Sequence, residues 1–426
     1  MFKRNNTNLI LSVILIMITL FSLITIYASS SAKEELSASS GGMRASRIRL
    51  SKEIAASDAA INRIESTSYK SSRNIRKSGV DSVSAKAAVL YEPETERFLY
   101  EKRADLRLPM ASTTKIMTAL VALELSSLDE TVAICPEAIG TEGSSAYLKE
   151  GDVLSMEELL YALLLQSAND AAVAIACHVG GSIEDFASLM NGKAEALGLV
   201  NTHFENPHGL DSEEHYTTAR ELAVIASEAL KNETFLKITS THKKSFITEE
   251  RSRTYVNHNK LLYMLDGTIG VKTGFTKRSG RCLVGACEKD GLRFISVTLD
   301  APDDWNDHKR LMALGYDTLE KRVLCNEGDY SYSVPVLDGK DTSVEISCEK
   351  GLSLITERDS AEYESHVRLS PFVCAPIKEG DILGTVIFTR GVETVATVNL
   401  RAQASVAEKE KGLLEGLLEK ILSIFK

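Results

Sequence analysis

Three short motifs, widely separated and in a fixed order, place the strongest constraint on how this chain of 426 residues folds. They are Ser-Thr-Thr-Lys at 112–115, Ser-Ala-Asn at 167–169 and Lys-Thr-Gly at 272–274. Other Ser-x-x-Lys spacings occur, and imitations of the second and third motifs lie upstream of residue 112, but only this set runs in order. Hydroxyls, amines and an amide act together only when they meet, so the set predicts a fold that gathers all three segments.

The first motif supplies a candidate nucleophile and base. A serine hydroxyl needs a base within hydrogen-bond distance, and Lys115 lies one helical turn beyond Ser112. A lysine serves as a base only if burial or nearby positive charge lowers its pKa, and Lys272 would supply that charge. Ser167 and Asn169 fit a loop before a helix, where the same residue types are favoured as N-caps. For this second motif, capping and catalysis are compatible interpretations.

The longer segment 108–120 resembles the serine D-alanyl-D-alanine carboxypeptidases, a family of low-molecular-mass penicillin-binding proteins. His-Gly-Leu-Asp at 208–211 and Asn-His-Asn-Lys-Leu-Leu at 257–262 are also similar to segments of that family. Some relatives carry Arg where His258 stands, which leaves the strength of carboxylate binding open. We expect His208 to be structural and to hold a loop.

The resemblance implies a reaction. Ser112 would attack the peptide bond between two D-alanines of the peptidoglycan stem peptide, release the terminal D-alanine and form an acyl-enzyme that water hydrolyses. Asn169 would orient Lys115 and the substrate amide, and Ser167 would relay a proton to the leaving amine. β-Lactam antibiotics would acylate the same serine as inhibitors. Neither a metal nor a cofactor is implied.

The third motif carries the implied substrate-binding residues. Lys272 and Thr273 would bind the terminal carboxylate, and Gly274 would let the substrate backbone approach closely. The backbone N–H groups of Ser112 and Phe275 would form the oxyanion hole. Lys272–Gly274 would lie on an edge strand that lines the cleft.

The implied fold class is α/β (α+β): a β-lactamase/transpeptidase-like catalytic domain at 85–322, with an antiparallel sheet flanked by helices and a helical subdomain. Apolar runs around a polar turn near 87–100, and again around Asp-Gly at 290–291, predict β-hairpins. Further on, short alternating runs separated by Asp-Gly, Lys-Gly and Glu-Gly turns predict a small all-β domain at 325–404, a spacer or binding module.

The termini suggest the compartment. Two basic residues, an apolar run over 9–28 and small residues after it predict an export signal or a retained anchor at 1–32. A Ser/Lys/Arg-rich tether follows at 33–84. Residues 406–426 form an amphipathic pattern, either a helix at the outer face of the cytoplasmic membrane or one packed on its own domain. We therefore expect an exported, extracytoplasmic protein of the cell envelope, peripheral to that membrane.

Charge and cysteine content limit which partners and which metal or disulfide sites the protein can have. The net charge of −10 argues against a partner that is a nucleic acid. The seven cysteines are scattered and lack the C-x-x-C spacing of a metal site. They are interpreted as small core hydrophobes, and one or two disulfides remain open.

Three alternatives remain beside the carboxypeptidase. A class A β-lactamase would need a Glu followed shortly by Asn, and Glu205 lies at a suitable distance, but the E-x-x-x-N pattern is absent. A non-enzymatic wall-binding protein would suit the tether, the β-domain and the tail. A transpeptidase would use the same acyl-enzyme, captured by an amine instead of water.

Overall fold

A computed structural model describes residues 83–247 and 251–410 of the protein. The predicted export segment, nearly all of the tether and most of the C-terminal amphipathic helix lie outside these residues. Within the covered ranges, no helix has both the length and the apolar character needed to cross a membrane.

The described residues fall into two compact units. One comprises Ala104–Lys260 and Val271–Val284, and the other comprises 83–103, Leu261–Gly270 and 285–410. All three sequence motifs lie in the first unit, so the candidate site is built within a single unit.

The first unit is mainly helical and is organised around one buried helix. A 3₁₀ helix at Ala111–Thr114 leads directly into α1, whose residues from Lys115 to Ala122 are all buried. The helices of the described chain are α1 (Lys115–Leu125), α2 (Met156–Leu164), α3 (Asn169–Gly180), α4 (Ile183–Ala196), α5 (Ala219–Ala229), α6 (Glu233–Ser240), α7 (Leu261–Met264) and α8 (Asp304–Thr318). Side-chain caps fix several helix starts. The Ser155 side chain accepts from the Glu158 N–H before α2, and the Thr218 side chain accepts from the Glu221 N–H before α5.

Five strands form the main sheet, in the order β2-β1-β9-β8-β7. The strands are β1 (Ala87–Glu92), β2 (Arg97–Lys102), β3 (Thr131–Ala133), β4 (Val153–Ser155), β5 (Lys243–Ile247), β6 (Ser252–Val256), β7 (Thr268–Thr276), β8 (Gly280–Lys289), β9 (Leu292–Leu299), β10 (Leu319–Cys325), β11 (Tyr332–Leu337), β12 (Ser343–Cys348), β13 (Leu352–Glu357), β14 (Glu364–Leu369), β15 (Val373–Cys374), β16 (Ile382–Arg390) and β17 (Glu393–Ala402). Because β7 is the last strand in the order, the predicted edge position of the Lys-Thr-Gly motif is confirmed.

Both predicted hairpins are present. Strand β1 pairs antiparallel with β2, and β8 neighbours β9 in the sheet. Between β8 and β9, Asp290 and Gly291 have φ values of 54° and 73°. Two successive positive φ values are characteristic of a type I′ turn, whose twist matches that of the strands it joins. The hairpin predicted around Asp290 and Gly291 is therefore confirmed.

The C-terminal strands form a six-stranded sheet of order β14-β16-β17-β12-β11-β15 and a separate pair, β10 with β13. Alternate residues point inwards and build an apolar core that includes Val334, Ile346 and Phe388. This confirms the predicted all-β domain. Strand β14 differs from the others because every one of its residues is exposed, so it lacks the alternation of buried and exposed residues that is typical of a strand on a core.

Candidate active site

Ser112 lies in the 3₁₀ helix directly before α1. The residue before it, Ala111, has a φ of 47°, in the left-handed region that disfavours residues with a Cβ. Two contacts hold this conformation. The Thr114 hydroxyl donates to the Ala111 oxygen at 2.8 Å, and a Cβ on Gly209 would lie only 1.9 Å from that oxygen. The backbone that presents Ser112 is thus strained and held in place, a feature often found at functional sites.

Lys115 is completely buried, and its amine meets three oxygens. Its Nζ lies 2.9 Å from Ser112 Oγ, 2.6 Å from Asn169 Oδ1 and 2.6 Å from the backbone oxygen of His208. Burial, and secondly the positive charge of Lys272, hold the Lys115 pKa well below its usual value. The first and second motifs therefore meet at this amine.

Asn169 is held by the chain that precedes it as well as by Lys115. Its backbone N–H donates to the Ser144 oxygen at 2.7 Å, and its side-chain Nδ2 donates to the Glu142 oxygen at 2.5 Å. At Gly143, which has a φ of 93°, an added Cβ would lie 2.8 Å from Asn169 Nδ2. Segment 139–148 thus packs closely against the second motif. No local sequence pattern predicted this contact.

The N-cap interpretation of the second motif is not what the structure shows. The N-cap of α3 is Ala168, with no side-chain capping bond, and Asn169 is the first helical residue. Ser167 is buried and has a φ of 61°. The Asn169 side chain is therefore used for the site and not for capping its helix.

The third motif presents a second buried amine and a close backbone approach. Lys272 is 2% exposed, and burial lowers its pKa to about 7. A Cβ on Gly274 would lie 3.0 Å from the Ser112 nitrogen and 3.1 Å from the Thr113 nitrogen. The edge strand thus passes directly against the backbone N–H of Ser112. The next residue, Phe275, is 65% exposed.

Two histidines near the site have different surroundings. His208 contributes its backbone oxygen to Lys115, and its ring Nδ1 accepts from the Leu210 N–H at 3.2 Å, consistent with the expected loop-holding role. His258 is exposed, and its backbone N–H donates to the Leu165 oxygen at 3.2 Å. Loss of ring hydration, and then the charge of Lys272, lower the pKa of His258.

The buried ring of His215 contacts Thr114 of the first motif. No sequence motif predicted this contact. Its Nδ1 accepts from the Glu205 N–H at 3.1 Å, and its Nε2 lies 2.8 Å from Thr114 Oγ1. Since Thr114 donates its own proton to the Ala111 oxygen, a neutral ring that carries its proton on Nε2 satisfies every partner. Burial lowers the His215 pKa to about 4, in agreement with this neutral form.

Comparison with known families covers both units. Residues 73–303 match the D-alanyl-D-alanine carboxypeptidase family, and residues 319–408 match the penicillin-binding protein 5 C-terminal domain. The chain belongs to the D-alanyl-D-alanine carboxypeptidase family. The resemblance inferred from the motifs is thereby confirmed.

Relatives and solved structures agree with this membership. The D-alanyl-D-alanine carboxypeptidase DacF of Bacillus subtilis is 33% identical, over 76% of this chain and 85% of its own. The crystal structure of a peptidoglycan synthesis regulatory factor (PBP3) from Streptococcus pneumoniae is 27% identical with a TM-score of 0.60, and the match covers 76% of this chain and 100% of that one. The Streptomyces K15 DD-transpeptidase is 35% identical with a TM-score of 0.53, over 55% of this chain and 98% of that one. These neighbours confirm the predicted fold class.

We expect His215 to make the stability of this carboxypeptidase-family protein depend on pH. Its pKa is about 4 in the folded protein against 6.5 ordinarily, so between these values the unfolded chain binds a proton that the folded one excludes. The free energy of unfolding should therefore fall as pH drops from 6.5 to 4, with a His215 contribution on the order of 3 kcal/mol.

Urea denaturation of wild type and His215→Gln across that range measures this contribution. The variant should lose part of the pH slope. Identical slopes in wild type and His215→Gln would contradict the assignment.

Proposed function

We propose that this protein is a cell-wall D-alanyl-D-alanine carboxypeptidase that removes the terminal D-alanine of the peptidoglycan pentapeptide through an acyl-enzyme on Ser112. Membership of the family and the names of its relatives support the reaction class. Residue roles follow from the arrangement of the three motifs. β-Lactams, which resemble the substrate, would acylate the same hydroxyl.

The hydrogen bonds of the Lys115 amine are the observation that carries this proposal. A neutral amine has two N–H donors and one lone pair. The Asn169 amide oxygen and the His208 backbone oxygen can only accept, so they take the two hydrogens at 2.6 Å each. The lone pair is then left for the Ser112 hydroxyl, 2.9 Å away. Together with the lowered pKa, this arrangement supports Lys115 as the general base.

In the acylation step, Ser112 Oγ attacks the carbonyl carbon while Lys115 takes the hydroxyl proton. The oxygen that becomes negative would accept hydrogen bonds from the Ser112 and Phe275 N–H groups. The close approach of Gly274 to the Ser112 nitrogen supports this placement. Collapse of the intermediate breaks the C–N bond, and the leaving amine takes the proton from Lys115 through Ser167. Water then hydrolyses the ester with Lys115 again as base.

The substrate carboxylate would be held by Lys272 and Thr273. Lys272 is buried, with a pKa lowered to about 7, and a bound carboxylate would favour its charged form. Binding of the correct substrate therefore restores the positive charge that in turn keeps Lys115 neutral. Asn169 would orient the substrate amide as well as Lys115.

Action on peptidoglycan places the protein outside the cytoplasm. The apolar segment near the N-terminus would direct export, and the C-terminal amphipathic pattern would attach the protein to the outer face of the cytoplasmic membrane. A transpeptidase remains the second candidate, since a 35% identical relative carries that name. Adding an amine acceptor to the assay separates the two, because only a transpeptidase would give a joined peptide product.

We expect Ser112→Ala to abolish both activities of the site. Labelling by a fluorescent penicillin and D-alanine release from a diacetyl-lysyl-D-alanyl-D-alanine peptide should each fall at least ~10³-fold. Ser188→Ala, at an exposed serine of α4, serves as the matched control and should keep both. If folded Ser112→Ala protein still released D-alanine, Ser112 would not be the nucleophile.

We expect the charge of Lys272 to set the pH at which acylation begins. Lys272→Gln removes the positive neighbour, so the Lys115 pKa should rise and the acidic limb of the acylation rate should move to higher pH. Lys272→Arg keeps the charge and should leave the limb in place. The measurement is the first-order acylation rate at saturating fluorescent penicillin between pH 5 and 10. A limb that moves equally in both variants would contradict the electrostatic origin.

A further inference from the structure

A cluster of two cysteines and a glutamate lies outside the three motifs. The Sγ atoms of Cys135 and Cys177 and a carboxylate oxygen of Glu137 lie within 4.8 Å of one another. Cys135 directly precedes the 3₁₀ helix Pro136–Ala138, and Cys177 lies near the end of α3. Both cysteines are half-buried free thiols, and Glu137 is exposed.

The two thiols are close neighbours, with their Sγ atoms within 4.8 Å. Burial first, and then the hydrogen bond with Cys135, raise the pKa of the Cys177 thiol. Cys177 is therefore held as a thiol and not as a reactive thiolate. The separation of the two Sγ atoms, at most 4.8 Å, is short enough for a small side-chain movement to bring them to bonding distance.

We propose that Cys135 and Cys177 form a disulfide in the exported protein, and that this bond holds the segment that positions Asn169. The inference rests on the proposed function only for the compartment, because disulfides persist outside the reducing cytoplasm. It differs from the interpretation of the cysteines as small core hydrophobes in giving two of them a covalent role.

The reaction needs an oxidant, and a small-molecule or protein disulfide balances it. One cysteine thiolate attacks that disulfide and releases a thiol, and the second cysteine then attacks the mixed disulfide and releases the other thiol. The two protons of Cys135 and Cys177 pass to the two released thiolates, and the oxidant's S–S bond gains the two electrons. Because exchange requires a thiolate, oxidation should be faster at higher pH.

Segment 139–148 is what connects this cluster to the site. At one end of α3, Asn169 bonds the oxygens of Ser144 and Glu142. The Asp170 carboxylate accepts from the backbone N–H groups of Ala146 at 2.9 Å and Leu148 at 3.0 Å. A Cys135–Cys177 bond would fix the chain just before this segment to the other end of the same helix. The segment would then be held to α3 on both sides.

Peptide mapping of the full chain tests the bond directly and needs no activity. The protein is treated with oxidised glutathione, alkylated, digested without reductant and analysed by mass spectrometry. We expect one linked peptide pair that contains Cys135 and Cys177 and is two hydrogens lighter than the two thiol peptides together, whereas the exposed Cys374 should occur only in an unlinked peptide, alkylated or joined to glutathione. Alkylation of both Cys135 and Cys177 after oxidation, or retention of one zinc ion per chain by the reduced cluster, would overturn the proposal.

Kinetics test the positioning role. Reduction by dithiothreitol should lower the wild-type kcat for D-alanine release by roughly tenfold through displacement of Asn169, with less change in KM. Cys135→Ser and Cys177→Ser should have the kcat of the reduced wild type, and dithiothreitol should not change it. Cys374→Ser should lose kcat on reduction as the wild type does. A mapped bond with a kcat that does not respond to reductant would overturn the positioning role. Far-UV circular dichroism and thermal unfolding of the serine variants show whether they are folded.

Discussion

The rest of the site depends on one buried amine that has no direct anionic partner. The hydrogen-bond partners of Lys115 in the described chain are a hydroxyl, an amide oxygen and a backbone carbonyl oxygen. A charged ammonium enclosed by neutral groups is costly, so burial drives the amine towards its neutral form. Neutrality leaves a lone pair, and the two obligate acceptors direct it at Ser112. Packing thus favours the neutral amine that the proposed role of Lys115 as general base requires.

Several elements of the fold surround the Lys115 amine. Helix α1 is buried from Lys115 to Ala122, so the Lys115 side chain lies in the interior of the unit. Helix α3 begins at the residue that accepts from Lys115, and segment 139–148 holds that residue in turn. The edge strand β7 brings the second cation, Lys272, and passes close to the Ser112 nitrogen. These elements meet within one unit, so the three motifs act together although they are far apart in sequence.

Much of this was predictable from sequence, since the ordered motifs carry both the chemistry and the need to converge. The hairpins, the edge position of the third motif and the C-terminal all-β domain also followed from local patterns. The contacts of Glu142, Ser144 and His215 did not, because each depends on a loop conformation or a long-range approach with no local signature. The capping preference of the Ser-Ala-Asn segment was misleading: the Asn169 side chain bonds Lys115 instead of its own helix.

The most direct test of the central claim is a ¹⁵N NMR titration of the Lys115 side-chain nitrogen in the unliganded enzyme. Its resonance would be assigned by its loss in Lys115→Arg and separated from that of Lys272 by Lys272→Arg. The account predicts a Lys115 pKa well below the 10.5 of an ordinary lysine, so this amine should lose its proton at a lower pH than the exposed lysines do. An ammonium that persists to about pH 10 would contradict the claim that burial prepares Lys115 as the base.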